Sequence, residues 1–126
     1  MQREVLKMHI VALEMKDQTV LEVLPSGTKL ESEQDMLDLI SASYEHQSAL
    51  VLMSAESLSE RFFDLKTGLA GMVLQKCSNY HLKLAVVLLE QAGLSERFRE
   101  MALEARKGKD FRFLEDRDLA LAWLLS

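Results

Sequence analysis

The sequence predicts a single α/β domain: a five-stranded mixed sheet, mostly parallel, with four helices in the order β-β-α-β-α-β-α-β-α. Three observations carry this prediction. Ala49-Leu50-Val51-Leu52-Met53 and Leu82–Leu88 are apolar runs with little or no alternation, the pattern of central strands covered on both faces. Stretches with helical spacing and helix-start residues follow them, and strand–helix alternation of that kind implies parallel pairing. Two strand-like segments near the start are joined by a short polar link, which reads as a hairpin. With 126 residues, the chain can bury a core of its own, roughly 65–70% of the unfolded surface. No repeat or linker divides residues 1–126, so all of it is read as one domain.

Lys7–Met15 is read as the first strand, Lys16-Asp17-Gln18 as the turn, and Thr19–Leu24 as the second strand, favoured by Thr19, Val20 and Val23. Pro25-Ser26-Gly27 stops it, using the only proline. Ser32 is expected to cap the first helix, with acids in its first turn and Met36, Leu37, Ile40 and Tyr44 on the buried stripe. After the strand at 49–53, Ser57 followed by Glu60 resembles a capping box, predicting a helix from about Leu58 to Lys76. The strand at 82–88 ends at the turn Gln91-Ala92-Gly93. Ser95-Glu96-Arg97 opens a third helix, with Phe98, Met101, Ala102 and Ala105 inward and Arg97, Arg99, Glu100, Glu104 and Arg106 outward. Gly108 suits a helix end. Asp110–Leu114 is a short strand that tolerates Arg112, hence an edge. Asp116 caps a last helix with Leu119, Ala120, Trp123 and Leu124 inward.

The charge balance narrows the partners. Net charge is −5 and pI is about 5.2, opposite to the basic patch that phosphate contacts require, so nucleic acid is not expected. An anionic membrane surface would repel the chain in the same way. No stretch approaches 18 apolar residues, and the start lacks an apolar run with a cleavage site, so a cytoplasmic protein is expected. The one cysteine, Cys77, cannot form an intramolecular disulfide, and is read as a core residue. His9, His46 and His81 fall on separate elements without metal-ligand spacing, and neither a metal nor another cofactor is expected.

The stretch that organises the rest is Phe62-Phe63-Asp64-Leu65-Lys66-Thr67-Gly68-Leu69-Ala70-Gly71, read as helix. Phe62, Leu65, Leu69, Met72, Val73 and Lys76 form one side, and Asp64, Gly68, Gly71 and Gln75 another. A glycine inside a helix costs about 1 kcal/mol against alanine, so two of them three apart suggest close approach by a strand, a helix or a ligand. Asp64 and Lys66, two apart, point to different sides, and Asp64 is placed to accept a bond from a nearby backbone amide.

This stretch, continued by Leu74-Gln75-Lys76, Asn79-Tyr80 and Lys83–Val87, resembles a bacterial family known as domain of unknown function number 4180. A weaker likeness extends to Leu121-Ala122-Trp123-Leu124. The resemblance implies no established activity. Family members commonly follow the fourth strand with a Gly-Asp pair; Leu88-Leu89-Glu90 stands here instead. The element order also resembles the STAS-like fold of anti-sigma-factor antagonists and SpoIIAA-like proteins. In antagonists a Ser or Thr after the third strand is phosphorylated, and Ser54, Ser57 and Ser59 occupy that region here without the antagonist's motif.

The functional expectation is a non-enzymatic regulatory or protein-interaction module that presents the loop and helix start at 54–68. Asp64, Lys66, Thr67, Gly68 and Gly71 are the candidate contact residues, and Ser57 and Ser59 the candidate phosphorylation sites. The alternative is a small-ligand binder using the Gly68/Gly71 face. A protein partner is expected, and a homodimer is compatible with either reading. No catalytic residues are assigned: paired carboxylates, a nucleophile elbow and a phosphate loop are all missing.

Overall fold

The computed structural model describes residues 8–90 and 93–126. His9–Met15 (β1) and Gln18–Leu24 (β2) pair antiparallel, with His9 opposite Leu24 and Met15 opposite Gln18. The two-residue turn between them has positive φ at both Lys16 (51°) and Asp17 (64°), the twist that matches a tight hairpin. Glu33–Glu45 (α1), Leu50–Ser54 (β3), Leu69–Tyr80 (α2), Lys83–Val87 (β4), Glu96–Ala105 (α3), Phe111–Leu114 (β5) and Arg117–Leu125 (α4) follow. The strands lie in chain order, β1-β2-β3-β4-β5, with only β1 antiparallel. The expected α/β class, the mixed five-stranded sheet, its four helices and the edge position of β5 are all present. Lys7, Gln91 and Ala92, assigned above to a strand and a turn, lie outside the described residues. No helix among the described residues is long and apolar enough to cross a membrane.

Strand order fixes which face each helix covers. Every crossover from β2 onward steps one strand in the same direction, so crossovers of one hand land on the same face. Accordingly α1, α2 and α3 share a core with Val23, Val51, Met53, Leu84, Val86, Phe111 and Phe113. The opposite face belongs to α4, whose Ala120, Leu121 and Leu124 pack on Val20, Leu52 and Ala85. Alternation along β3 sends Val51 and Met53 to one core and Leu52 to the other, and all three are buried. This is why the run at 49–53 shows no polar residue. Arg117 ties α4 to β2 through a two-pronged bond to Glu22, with Nε and Nη2 donating at 3.1 and 2.9 Å. Lys83 Nζ donates to the Trp123 and Leu124 carbonyls at 2.7 and 3.3 Å and so closes the last turn of α4. Burial, and secondarily the charge of Arg112, lowers the pKa of Lys83.

The expected caps form, while the buried stripes of α1 and α4 are rotated from those expected. Ser32, Ser95 and Asp116 each accept a bond from the backbone amide three residues on, at 3.2, 3.1 and 2.8 Å. In α1 the buried residues are Met36, Leu39, Ile40 and Ser43, a set spaced by three, one and three. Leu37 and Tyr44 are exposed, against expectation, because both stand one position past that stripe, a rotation of about 100° toward solvent. In α4 the same kind of offset exposes Leu119 and buries Leu121. The inward and outward sets of α3 are as expected, with Phe98 fully buried.

The largest departure lies between β3 and α2. The expected helix from Leu58 does not form. Three short 3₁₀ turns, Ala55–Ser57, Glu60–Phe63 and Leu65–Thr67, occupy this span, and α2 begins only at Leu69. The capping box is not made: Ser57 is buried and its hydroxyl has no partner. Gly68 is therefore not inside a helix. It is the residue before α2, with φ 79°, a conformation glycine adopts without the cost a Cβ would bring. Gly71 is in the first turn of α2, and a Cβ built on either glycine would meet nothing within 4 Å. The close approach inferred from the two glycines is absent. Gly68→Ala is expected to destabilise by about 1–2 kcal/mol through its backbone conformation. Gly71→Ala is expected to stabilise by about 0.5 kcal/mol through helix propensity. Urea unfolding of the two variants reads both signs.

Candidate functional site

The parallel strands β2, β3 and β4 all end on one side of the sheet. The loops that leave them carry the N-termini of α1, α2 and α3 to the same region, where open parallel sheets place their binding crevices. The middle loop, 55–68, is built as a ladder of caps. Ser54 Oγ accepts from the Glu56 amide at 3.1 Å, Ser59 Oγ from Arg61 at 3.2 Å and Asp64 Oδ1 from Lys66 at 3.1 Å. Each cap starts a 3₁₀ turn because a short polar side chain two residues back competes with helical bonding. Thr67 closes the ladder: its hydroxyl lies 2.6 Å from the Arg61 carbonyl and 2.9 Å from that of Asp64, and accepts from the Leu69 amide at 3.2 Å. The loop is pinned sideways as well. Leu30 donates to the Ser57 carbonyl at 2.8 Å, Ser59 donates back to Leu30 at 3.0 Å, and Arg61 Nη1 donates to the Glu31 carbonyl at 2.8 Å.

Beneath the ladder, Phe62 is fully buried. Its ring centroid stands 5.4 Å from Phe63, 6.0 Å from Phe98, 6.1 Å from Phe111 and 6.3 Å from Phe113. These are all five phenylalanines of the chain. The loop is thereby anchored to α3 and β5, and its charged side chains are left on the surface.

Asp64 and Lys66 are exposed on this platform, Thr67 is half-buried, and Gly68 and Gly71 are exposed. Asp64 accepts a backbone amide, as expected, but from a 3₁₀ turn. Lys66 has no carboxylate oxygen within 4 Å among the described residues. Asp64 and Lys66, with Phe63 and Leu65, form one wall of a crevice of about 690 Å³ whose other wall is Gly93, Ser95, Glu96 and Arg97 at the start of α3. Thr67, Gly68 and Gly71 do not line it. A second groove of about 490 Å³ lies between the β2–α1 loop and Arg61, with Lys29, Glu31 and Asp35 among its polar residues. The α3 wall was missed in sequence. Ser95 announced a helix start, but its placement opposite 63–66 follows only from β3 and β4 being neighbours.

The two candidate phosphorylation sites are both buried. Ser57 is 1% exposed, beyond the reach of a kinase in the folded chain, and Ser59 is 8% exposed with its hydroxyl engaged as a cap. His9, His46 and His81 are exposed on separate elements, and among the described residues no group of three His, Cys, Asp or Glu could hold a metal ion. Cys77 is fully buried on α2, and burial, followed by the Asp110 charge, pushes its pKa up to about 12.

Replacing Thr67 by Val removes the closing hydroxyl, with an expected cost of about 1 kcal/mol and faster hydrogen exchange at the Leu69 amide. The Cys77 thiol is expected to resist alkylation at pH 8 in the folded protein and to react fully in urea, which labelling followed by intact mass will show.

No curated protein and no solved structure matches the chain. Residues 15–124 match the family described as Domain of unknown function (DUF4180). That match takes in the last residue of β1, all of β2, the cap ladder, the crevice and nearly all of α4, and the chain belongs to the DUF4180 family.

Proposed function

We propose that the protein is a non-enzymatic interaction module of the bacterial cytoplasm, and that the 54–68 loop with the start of α3 receives a polar segment of a partner protein. The observation that carries this reading is the cap ladder. Its backbone groups are satisfied internally, so the side chains of Glu56, Glu60, Asp64 and Lys66 are displayed on a fixed frame. Little ordering cost then falls on this side of a complex. The crevice lining supports a peptide occupant: Asp64 and Glu96 supply acid, Lys66 and Arg97 supply base, and Phe63 and Leu65 give apolar contact between them. A regulatory role rests on the resemblance of the element order to that of STAS-like antagonists, which is an analogy of fold. A phosphate switch at Ser57 or Ser59 would require this turn to open first.

A small polar ligand is the second reading, favoured by the size of the crevice, which falls in the range of small-molecule sites. The Gly68/Gly71 face contributes open surface and no wall.

The test is capture from native lysate with wild-type protein and with a Lys66→Glu, Arg97→Glu double variant. A protein retained by the wild type and lost by at least tenfold in the variant is the expected result. Retention of the same proteins by both rejects the crevice as the docking site. Native mass spectrometry of the unmixed protein, showing a bound small molecule that the variant lacks, would favour the second reading.

A further inference from the structure

Three arginines line a second hollow, which runs along α3 from its first turn to just past its end. Arg99 and Arg106 on and just after α3, and Arg112 on β5, line a hollow of about 130 Å³ together with Ala102, Leu103 and Phe113. It shares no lining residue with the crevice. β5 has only β4 as a neighbour, so the hollow opens at the free edge of the sheet.

The guanidinium groups are underused. Arg99 Nη2 donates to the Leu94 carbonyl at 3.0 Å, and Arg112 Nη2 to the Arg106 carbonyl at 2.9 Å. Arg112 Nε is buried and has no acceptor. None of the three has a carboxylate oxygen within 4 Å among the described residues, while the nearby Glu104 pairs with Lys107 at 3.1 Å. A guanidinium carries five donors, so most of this capacity is unspent. In a chain of net charge −5, three cations around one hollow without an acid run against the average field. Their mutual repulsion is relieved by a bound anion. Planar guanidinium forks suit the oxygens of phosphate, and a dianion answers three positive charges better than a single carboxylate does. A water occupies about 30 Å³ of liquid, so the hollow admits a few heavy atoms and no nucleotide. Phe113, buried at the base of the hollow, gives it one apolar wall, which strengthens charge interactions there.

We propose that the hollow bounded by Arg99, Arg106 and Arg112 is a binding site for a tetrahedral oxyanion, either inorganic phosphate or a small phosphate monoester. The structure supplies its own reporter. Trp123 is the only tryptophan, and the Arg112 guanidinium lies 5.1 Å from its ring centroid. Lys83 Nζ lies 4.8 Å from the centroid of the same ring and bonds the Trp123 carbonyl.

The experiment is a tryptophan-fluorescence titration of the full chain with inorganic phosphate, butyl phosphate, acetate and chloride at constant ionic strength, with calorimetry on the same samples. Saturable binding of a phosphate species, weakened at least tenfold in Arg99→Gln and Arg106→Gln variants with unchanged circular dichroism, is the expected result. Both replaced side chains are exposed, so folding should survive. Tighter butyl phosphate identifies a monoester as the ligand, and tighter inorganic phosphate identifies the free anion. An equal response to acetate or chloride, undiminished affinity in the variants, or neither heat nor fluorescence change overturns the proposal.

Discussion

The burial of the Phe62 ring is the constraint on which the surface of this domain depends. The loop between β3 and α2 has no α-helix of its own from Ala55 to Thr67, and its strand-like bonding is a single bridge to Leu30, so backbone bonding alone holds it at one point. One aromatic side chain fixes the rest, by entering a nest of four other rings from the loop itself, α3 and β5. Edge-to-face and offset ring pairs contribute about 0.5–1.5 kcal/mol each beyond area burial, and they prefer particular orientations. The nest therefore orients as well as attaches. Phe98 and Phe111 belong to it too, which means the start of α3 and the last strand take their places relative to the loop through the same contact.

This arrangement separates two jobs that a loop usually combines. Attachment is done from below, by the ring. Local shape is set from within, by Ser54, Ser59, Asp64 and Thr67 satisfying backbone groups. The exposed side chains of Glu56, Glu60 and Lys66 carry neither duty and are available to meet another molecule. Ser57 is the exception: a hydroxyl buried without a partner costs about 1–3 kcal/mol, and its neighbours tolerate it while its backbone carbonyl holds Leu30.

The architecture was legible because its signals were local. The apolar runs at 49–53 and 82–88, the caps at Ser32, Ser95 and Asp116, and the polar link at 16–18 each act within a few residues. The stretch at 58–68 was misread because Phe62, Leu65 and Leu69 sit at spacings of three and four, which serve a 3₁₀ turn followed by a helix as well as one helix. Ser59, Asp64 and Gly68, each able to interrupt a helix, were the available counter-signal. Leu119 and Leu121 were exchanged because α4 is rich in leucine all round and its stripe is ambiguous. The crevice was not legible at all. Its walls lie some thirty positions apart, and only the adjacency of β3 and β4 brings Asp64 and Lys66 opposite Ser95 and Arg97.

Strands laid down in chain order have a consequence for synthesis. As the polypeptide emerges, each new strand finds its partner already in place, so the sheet can grow from the hairpin outward without waiting for distant segments. The helices of the first layer arrive in step with it. The far layer does not: Val20, Leu52 and Ala85 stay bare until α4 has been made. During that interval the nascent domain shows water a greasy flank that a chaperone would recognise, and nine residues of helix end the exposure.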